Sequence, residues 1–363
     1  MTSHFIYKYS VLISTEQKIS LNFQFNMALV LRNILNLSKR AVYCQISSKH
    51  FSTSDKNGDP KETEGKEGTE EQVEKIPENI IVEKCEGVTL IGINRPEKRN
   101  CVNRVTASQL ITAINEFESD EKSTVGVLYG VGGSFCAGFD LSEVLTGGAD
   151  AIINTVDGAM GPTRSHTKKP LIAAINGYCV GGGLELALMC DLRIVEENSV
   201  LGFFNRRFGV PLVDGGCARI ARLIGLSRAL DLVLTGRHVS AKEAFEIGLA
   251  NRMVAIGASL GQAVNLANSI AKFPPECLKH DRDALYYATY DSPSFSDAIN
   301  YEVMTCSKEL FDEATQGSTK FVDEGIGRGG KFHDVRDKDL PEWEKDEIKR
   351  EIKNEEATKK EKE

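Results

Sequence analysis

No run of apolar residues in this 363-residue chain approaches the roughly 18 needed to cross a bilayer, which excludes a membrane-spanning helix. Paired cysteine motifs are missing too. The nine cysteines are odd in number and contain no Cys-x-x-Cys, so they read as reduced thiols, not as a disulfide framework or a zinc site. An excess of basic residues is also absent. With 44 Lys and Arg against 52 Asp and Glu, the net charge of −8 gives no general footprint for DNA and little support for RNA. Much of that acidity sits in two tails, so the folded part is closer to neutral. No metal-ligand cluster and no internal repeat is visible in the sequence.

Acidic residues are themselves scarce in one place. Residues 1–54 contain one, Glu16, and none lies between Met27 and Ser54, where Arg32, Lys39, Arg40 and Lys49 stand among serines. At 100° per residue Arg32, Asn36, Lys39 and Arg40 share a face, opposite Val30, Ile34, Leu37 and Ala41. This is the composition of a mitochondrial transit peptide, which predicts a matrix protein, with cleavage around Ser47 to Ser54. The pattern starts cleanly at Met27, an alternative start. Residues 55–76 are Glu, Lys and Gly with almost nothing to bury, a disordered linker. Residues 335–363 are a charged tail. The folded domain therefore spans residues 77–334.

Within it, two apolar runs, Ile80 to Val82 and Val88 to Ile93, flank Glu86-Gly87 as a hairpin would. A turn-like RPEKRN segment follows, then an amphipathic helix from Val105 to Glu118 and a buried strand from Thr124 to Tyr129. More helix precedes Pro170. A strand from Leu171 to Ile175 leads into Gly177 to Asp191, GYCVGGGLELALMCD. Strands are then expected at Leu192 to Val195 and Val200 to Phe204, and helices at Ala218 to Leu223, Ala229 to Leu234 and Ala241 to Ile247. The chain is mostly helical from Leu260 onward. Alternating strands and helices define an α/β class.

Three signals carry candidate chemistry. GVGGSFCAG follows a strand, but a dinucleotide fingerprint from Gly130 and Gly132 would need a third glycine where Phe135 stands. Gly257-Ala258-Ser259-Leu260-Gly261 matches a nucleophile elbow in form; Ser259 with Gln262 reads better as a capping box. The third signal is a pair of strand ends, Cys136 to Leu141 and Gly181 to Glu185. Each offers backbone amides unobstructed by side chains, and together they could give two N–H donors to one oxyanion. Gly181, Gly182 and Gly183 also open a helix, whose N-terminus favours negative charge, and Glu185 falls in its first turn. A proton-moving carboxylate beside a developing anion is a sensible pair. A packing role for the glycines and a dipole role for Glu185 is the alternative.

Phe135-Cys-Ala-Gly-Phe-Asp-Leu141 and KKPLIAAINGYxxGGGxELAL from Lys168 to Leu188 together resemble the crotonase (enoyl-CoA hydratase/isomerase) family. Asn94 to Asn100 and Leu234 to Ala244, followed by GLANRMV, carry the same resemblance, which covers residues 80–332 in the family's order. It implies a crotonase-like spiral of ββα repeats with a C-terminal helical region, assembled as a homotrimer or homohexamer. It also implies an acyl-CoA thioester substrate whose carbonyl becomes an enolate-like oxyanion. By the same resemblance the oxyanion donors fall on the Phe139 and Gly182 amides, and the backbone of Ala137, Gly138 and Asp140, with Gly181, lies along the CoA substrate. No resident cofactor or metal is implied, since CoA arrives with the substrate.

Hydratases of the family place water and shuttle protons with two glutamates. The first matches Glu185, whereas the second position holds Asn205. An amide positions water but exchanges no proton near neutral pH. Asp214, in the turn GVPLVDGG, is a substitute carboxylate, with a helix N-cap as its alternative role. Arg206 and Arg207 could orient a polar acyl group or simply face solvent. Cys136 and Cys179 read as apolar fillers. The expectation is an enoyl-CoA hydratase, with isomerase or other one-carboxylate chemistry as the alternative. An acyl-CoA- or RNA-binding relative with little turnover is the second.

Overall fold

The computed structural model describes residues 78–323 other than 86, 149 and 154–156. The expected presequence (1–54), linker (55–76) and charged tail (335–363) lie outside these residues.

Uninterrupted β-branched and leucine runs, with no polar alternation, make strands buried on both faces. Among the described residues, six strands form one sheet in the order β1-β2-β3-β4-β6-β9; the four inner ones are largely buried and the two edge strands largely exposed. They are β1 (Ile80–Cys85), β2 (Val88–Ile93), β3 (Val125–Gly130), β4 (Leu171–Ile175), β6 (Leu192–Glu196) and β9 (Arg252–Val254). β1 and β2 form the expected antiparallel hairpin, with Cys85 opposite Val88, and all later pairings are parallel. A smaller sheet orders β5 (Tyr178–Val180), β7 (Val200–Gly202) and β8 (Val239–Ser240).

Parallel strands require crossovers, and helices supply them. α1 (Arg104–Ser119) is capped by Asn103, whose side chain accepts from Thr106 N at 2.9 Å, and it buries Ala107, Leu110, Ile114 and Phe117 on one face. The run β4, β5, α4 (Gly182–Met189) is repeated by β6, β7, α5 (Gly216–Ile224). Each turn thus lays one strand in the large sheet and one in the small sheet, which is the expected ββα spiral. α2 (Leu141–Gly147) and α3 (Asp150–Ile153) follow β3; α6 (Leu226–Thr235) and α7 (Ala241–Glu246) precede β9. α8 (Ser259–Ile270) presses Ala263 and Ala267 into the outer face of the large sheet.

The C-terminal helices α9 (Pro275–Tyr286), α10 (Phe295–Met304) and α11 (Lys308–Asp323) complete the described chain. They are tied to the strands through Asp191. Its Oδ1 accepts from Arg282 Nε and Tyr286 OH, each at 2.8 Å, while its Oδ2 accepts from Leu171 N at 2.8 Å.

Two expectations need correction. Val200 to Phe204 is not one strand: β7 stops at Gly202, and residues Phe204–Phe208 form a 3-10 helix. A side chain at Gly202 would meet the Arg237 carbonyl at 2.7 Å, so the ladder ends there. Nor does Ser259 make a capping box with Gln262. Ala258 is the N-cap, and the Ser259 amide and hydroxyl both donate to the buried Glu196 carboxylate, at 3.3 and 2.7 Å. That carboxylate takes the serine amide that the box would have given to Gln262 and turns the hydroxyl away from its accepting role, and it also rules out a free nucleophile at Ser259.

Candidate active site

The two strand ends meet. Cys136 pairs with Cys179 in a parallel β-bridge, so the Ala137–Phe139 and Val180–Gly182 segments leave the bridge side by side. Gly138 (φ +98°) brings them close enough that a methyl group on it would stand 3.1 Å from the Gly182 amide nitrogen. The flanking amides of this loop are committed: Ala137 N donates to Arg99 O, and Asp140 N donates to Val102 O. The Phe139 and Gly182 N–H groups have no protein acceptor among the described residues. Both cysteines are fully buried; burial pushes the Cys136 thiol up to about 12, in keeping with filler and not nucleophile.

A cavity of about 160 Å³ opens beside these amides. Ala137, Gly138, Phe139, Gly181, Gly182, Glu185, Asn205 and Asp214 all line it, with an apolar wall that includes Leu141, Ile152, Phe204 and Phe208. Asp140 is not part of the lining. Its carboxylate caps α2, accepting from Ser142 N at 3.2 Å, and pairs with Arg95 Nη2 at 3.2 Å.

Glu185 is in the first turn of α4 and only 2 % exposed. Its Oε1 accepts from Asp214 N at 3.0 Å and Gly216 N at 2.9 Å. Burial, and then the neighbouring Asp214 carboxylate, raise its pKa to about 7 against the opposing pull of those two amides. Asp214 is also 2 % exposed. It does not cap α5, whose N-cap is Gly215 with no side-chain hydrogen bond. Instead its Oδ1 accepts from Met160 N at 3.2 Å and from Thr163 Oγ1 at 2.5 Å. Two carboxyl groups from separate elements are thus brought to one cavity, one of them with a titration point near neutrality.

Asn205, in the 3-10 helix, donates from Nδ2 to Val210 O at 2.7 Å. That bond fixes the orientation of the amide and leaves Oδ1 buried without a partner among the described residues. Arg206 and Arg207 point elsewhere. Arg206 Nε donates to Val233 O, and Arg207 lies 4.0 Å over the Phe204 ring while donating to Gly236 O. Among the described residues no group of three potential metal ligands occurs, and no helix is long and apolar enough to cross a membrane.

The turn from Gly158 to Arg164 went unnoticed in the sequence, although it supplies both donors to Asp214. Its signal in the sequence is Gly158 and Gly161 followed by Pro162, turn-forming residues; in the structure the glycines take φ +122° and +100° and the proline opens the 3-10 helix Pro162–Arg164.

A ββα spiral carries two unpaired amides at adjacent strand ends, and a carboxylate in the first turn of a helix shares their cavity. Residues 83–326 match the enoyl-CoA hydratase/isomerase family, and the chain belongs to it as an enzyme of that family. It is 36% identical over 202 residues to "Mevalonyl-coenzyme A hydratase sidH" of Aspergillus fumigatus, covering 55% of this chain and 75% of that one. It is 35% identical over 220 residues to "Probable enoyl-CoA hydratase, mitochondrial" of Dictyostelium discoideum, covering 61% and 79%. A crystal structure of an enoyl-CoA hydratase from Mycobacterium marinum superposes with a TM-score of 0.62 at 31% identity, over 68% of this chain and 96% of that one.

Proposed function

We propose that the protein hydrates a 2-enoyl-CoA thioester, with Glu185 and Asp214 as its two proton-handling groups. The observation that carries this reading is the shared cavity: two carboxyl groups, each 2 % exposed, beside two unpaired amides. The thioester oxygen accepts from Phe139 N–H and Gly182 N–H, and a donor of this kind contributes roughly 3–4 kcal/mol to an oxyanionic transition state. Water oxygen bonds to Cβ and its proton passes to Asp214. Glu185, with its pKa near 7, gives its own proton to Cα, and the enolate returns to a thioester. One proton is taken and one delivered, so the added atoms are those of water; exchange with solvent resets both groups. Asn205 lines the same cavity, its amide held by the Nδ2 bond to Val210 O. Ala137, Gly138 and Gly181 border the substrate, and CoA enters with it, so the chemistry needs no resident cofactor.

Two further elements of the reading rest on the sequence and the family. The acid-poor first 54 residues support import into the mitochondrial matrix, as does the name of the Dictyostelium relative; protease protection after import checks it. Assembly as a trimer or hexamer is supported by the family alone, and light scattering decides it. The test of activity is loss of the enoyl-thioester absorbance of crotonyl-CoA by the full chain, with Glu185→Gln and Asp214→Asn in parallel. Hydration through both groups predicts that each variant drops by at least roughly 100-fold. Dependence on Glu185 alone would favour one-carboxylate chemistry such as double-bond isomerisation. Thioester binding without turnover would sink hydration for this substrate.

A further inference from the structure

Asp214 is useful to a reaction only if its free oxygen faces the cavity, and nothing on its own element enforces that. It sits in a turn between Pro211 and Gly215, where side-chain rotation is not limited by a helix or strand. The restraint comes from the turn Gly158 to Thr163. Thr163 is fully buried and donates its hydroxyl to Asp214 Oδ1, and the Met160 amide donates to the same oxygen. Both donors are spent on Oδ1, and among the described residues no hydrogen bond is made to Oδ2. A side chain at Gly158 would overlap both Thr163 Oγ1 and Asp214 Oδ1, so this glycine is what admits the contact.

A separate clamp holds the two backbones. Arg219, on α5, donates from Nη1 to Asp214 O at 3.1 Å and from Nη2 to Thr163 O at 2.8 Å and Ser165 O at 3.2 Å. The spacing of the turns is therefore set by Arg219, and the Thr163 hydroxyl acts on the carboxylate alone. We propose that Thr163 is a positioning residue, which pins Asp214 Oδ1 and so presents Asp214 Oδ2 to the substrate. This rests on the reading of Asp214 as the second carboxylate. Without the hydroxyl, one of the two donors is lost, and the carboxylate is free to turn its oxygens away from the productive direction. Misplacing a reacting group by about 1 Å costs on the order of 100-fold in rate.

The experiment compares Thr163→Val, Thr163→Ser and Asp214→Asn with the parent full chain on crotonyl-CoA, measuring kcat and KM from pH 5 to 9 together with melting temperature. Thr163→Val keeps the shape and removes the hydroxyl. Its kcat should fall roughly 10- to 100-fold with KM little changed, and the acid limb of its pH profile should move to higher pH. Thr163→Ser should restore most of the loss and return the limb. Unchanged kcat in Thr163→Val, while Asp214→Asn is inactive, would overturn the positioning role and leave the carboxylate role standing. A loss in Thr163→Val that follows its melting temperature, with no movement of the limb and no rescue by serine, would mark Thr163 as structural only and also overturn the role. Full activity in Asp214→Asn would remove the carboxylate reading itself, and the role of Thr163 with it.

Discussion

Replacing Glu185 by glutamine should stabilise the protein at alkaline pH and abolish its turnover. The carboxyl is raised from 4.5 to about 7, chiefly because burial disfavours its ionised form and secondarily because Asp214 stands beside it. The folded state therefore holds this proton more tightly than the unfolded chain does. The stability so gained is fully present below the unfolded pKa and is lost as pH rises through the folded one. Each pH unit of the gap is worth about 1.36 kcal/mol, so keeping Glu185 buried costs about 3 kcal/mol at pH 8 and less than about 1 kcal/mol at pH 5. Glutamine is neutral at both values, and its Oε1 can still accept from the Asp214 and Gly216 amides that hold the glutamate. At roughly 2–4 °C per kcal/mol for a domain of this size, the variant should melt roughly 6–12 °C above the parent at pH 8 and close to it at pH 5. Thermal melts of both chains across that range, followed by circular dichroism, make the comparison. A difference that does not change with pH would refute the raised carboxyl.

Two further substitutions test the frame around the site. Gly183→Ala would drive a methyl group into the Cys136 carbonyl, so it should cost about 1–3 kcal/mol or more and remove turnover, whereas Gly133→Ala meets nothing within 4 Å and should be neutral; melts and crotonyl-CoA assays on both report this. Arg282→Met deprives Asp191 of its charged partner in a largely buried ion pair, 10% and 17% exposed, leaving Tyr286 OH and Leu171 N as its donors, and should cost about 3 kcal/mol. Hydrogen exchange should then quicken in α9 well before β3; uniform exchange across both would contradict the anchoring role.

The α/β class was legible because buried parallel strands are written as unbroken apolar runs, and β2 and β4 are read directly from them; the spiral itself was implied only by the family resemblance. Two strand ends with bare amides were legible from the glycines at Gly138 and Gly181 to Gly183, with close packing as the other use the sequence left open; the choice of the Phe139 and Gly182 amides came from the family resemblance. What the sequence hid was competition for donors. Ser259 with Gln262 satisfies every local criterion of a capping box, yet Glu196, sixty-three residues earlier in the chain, takes the serine's amide and hydroxyl. Asp214 before two glycines is an equally good cap on paper. Thr163, fifty-one residues away, together with Met160, draws its carboxylate elsewhere. Polar side chains with several possible partners are assigned by tertiary contacts, and local spacing does not reveal which one wins.

The bridge between Cys136 and Cys179 has an evolutionary consequence. Phe139 and Gly182 each stand three positions beyond a bridged cysteine, so the separation of the two amides is dictated by main-chain register. Amino-acid replacement at Phe139 leaves its N–H in place, and the ladder behind it is indifferent to side-chain identity so long as the glycines remain. Glu185 and Asp214, by contrast, are borne on a helix and on a distant turn that answer to separate constraints. On the proposed mechanism, electrophile activation and proton transfer are thus borne by separate parts of the fold. Under mutation, acidic groups can be gained, lost or relocated around a fixed pair of donors, and an asparagine at position 205 is one state such drift can reach.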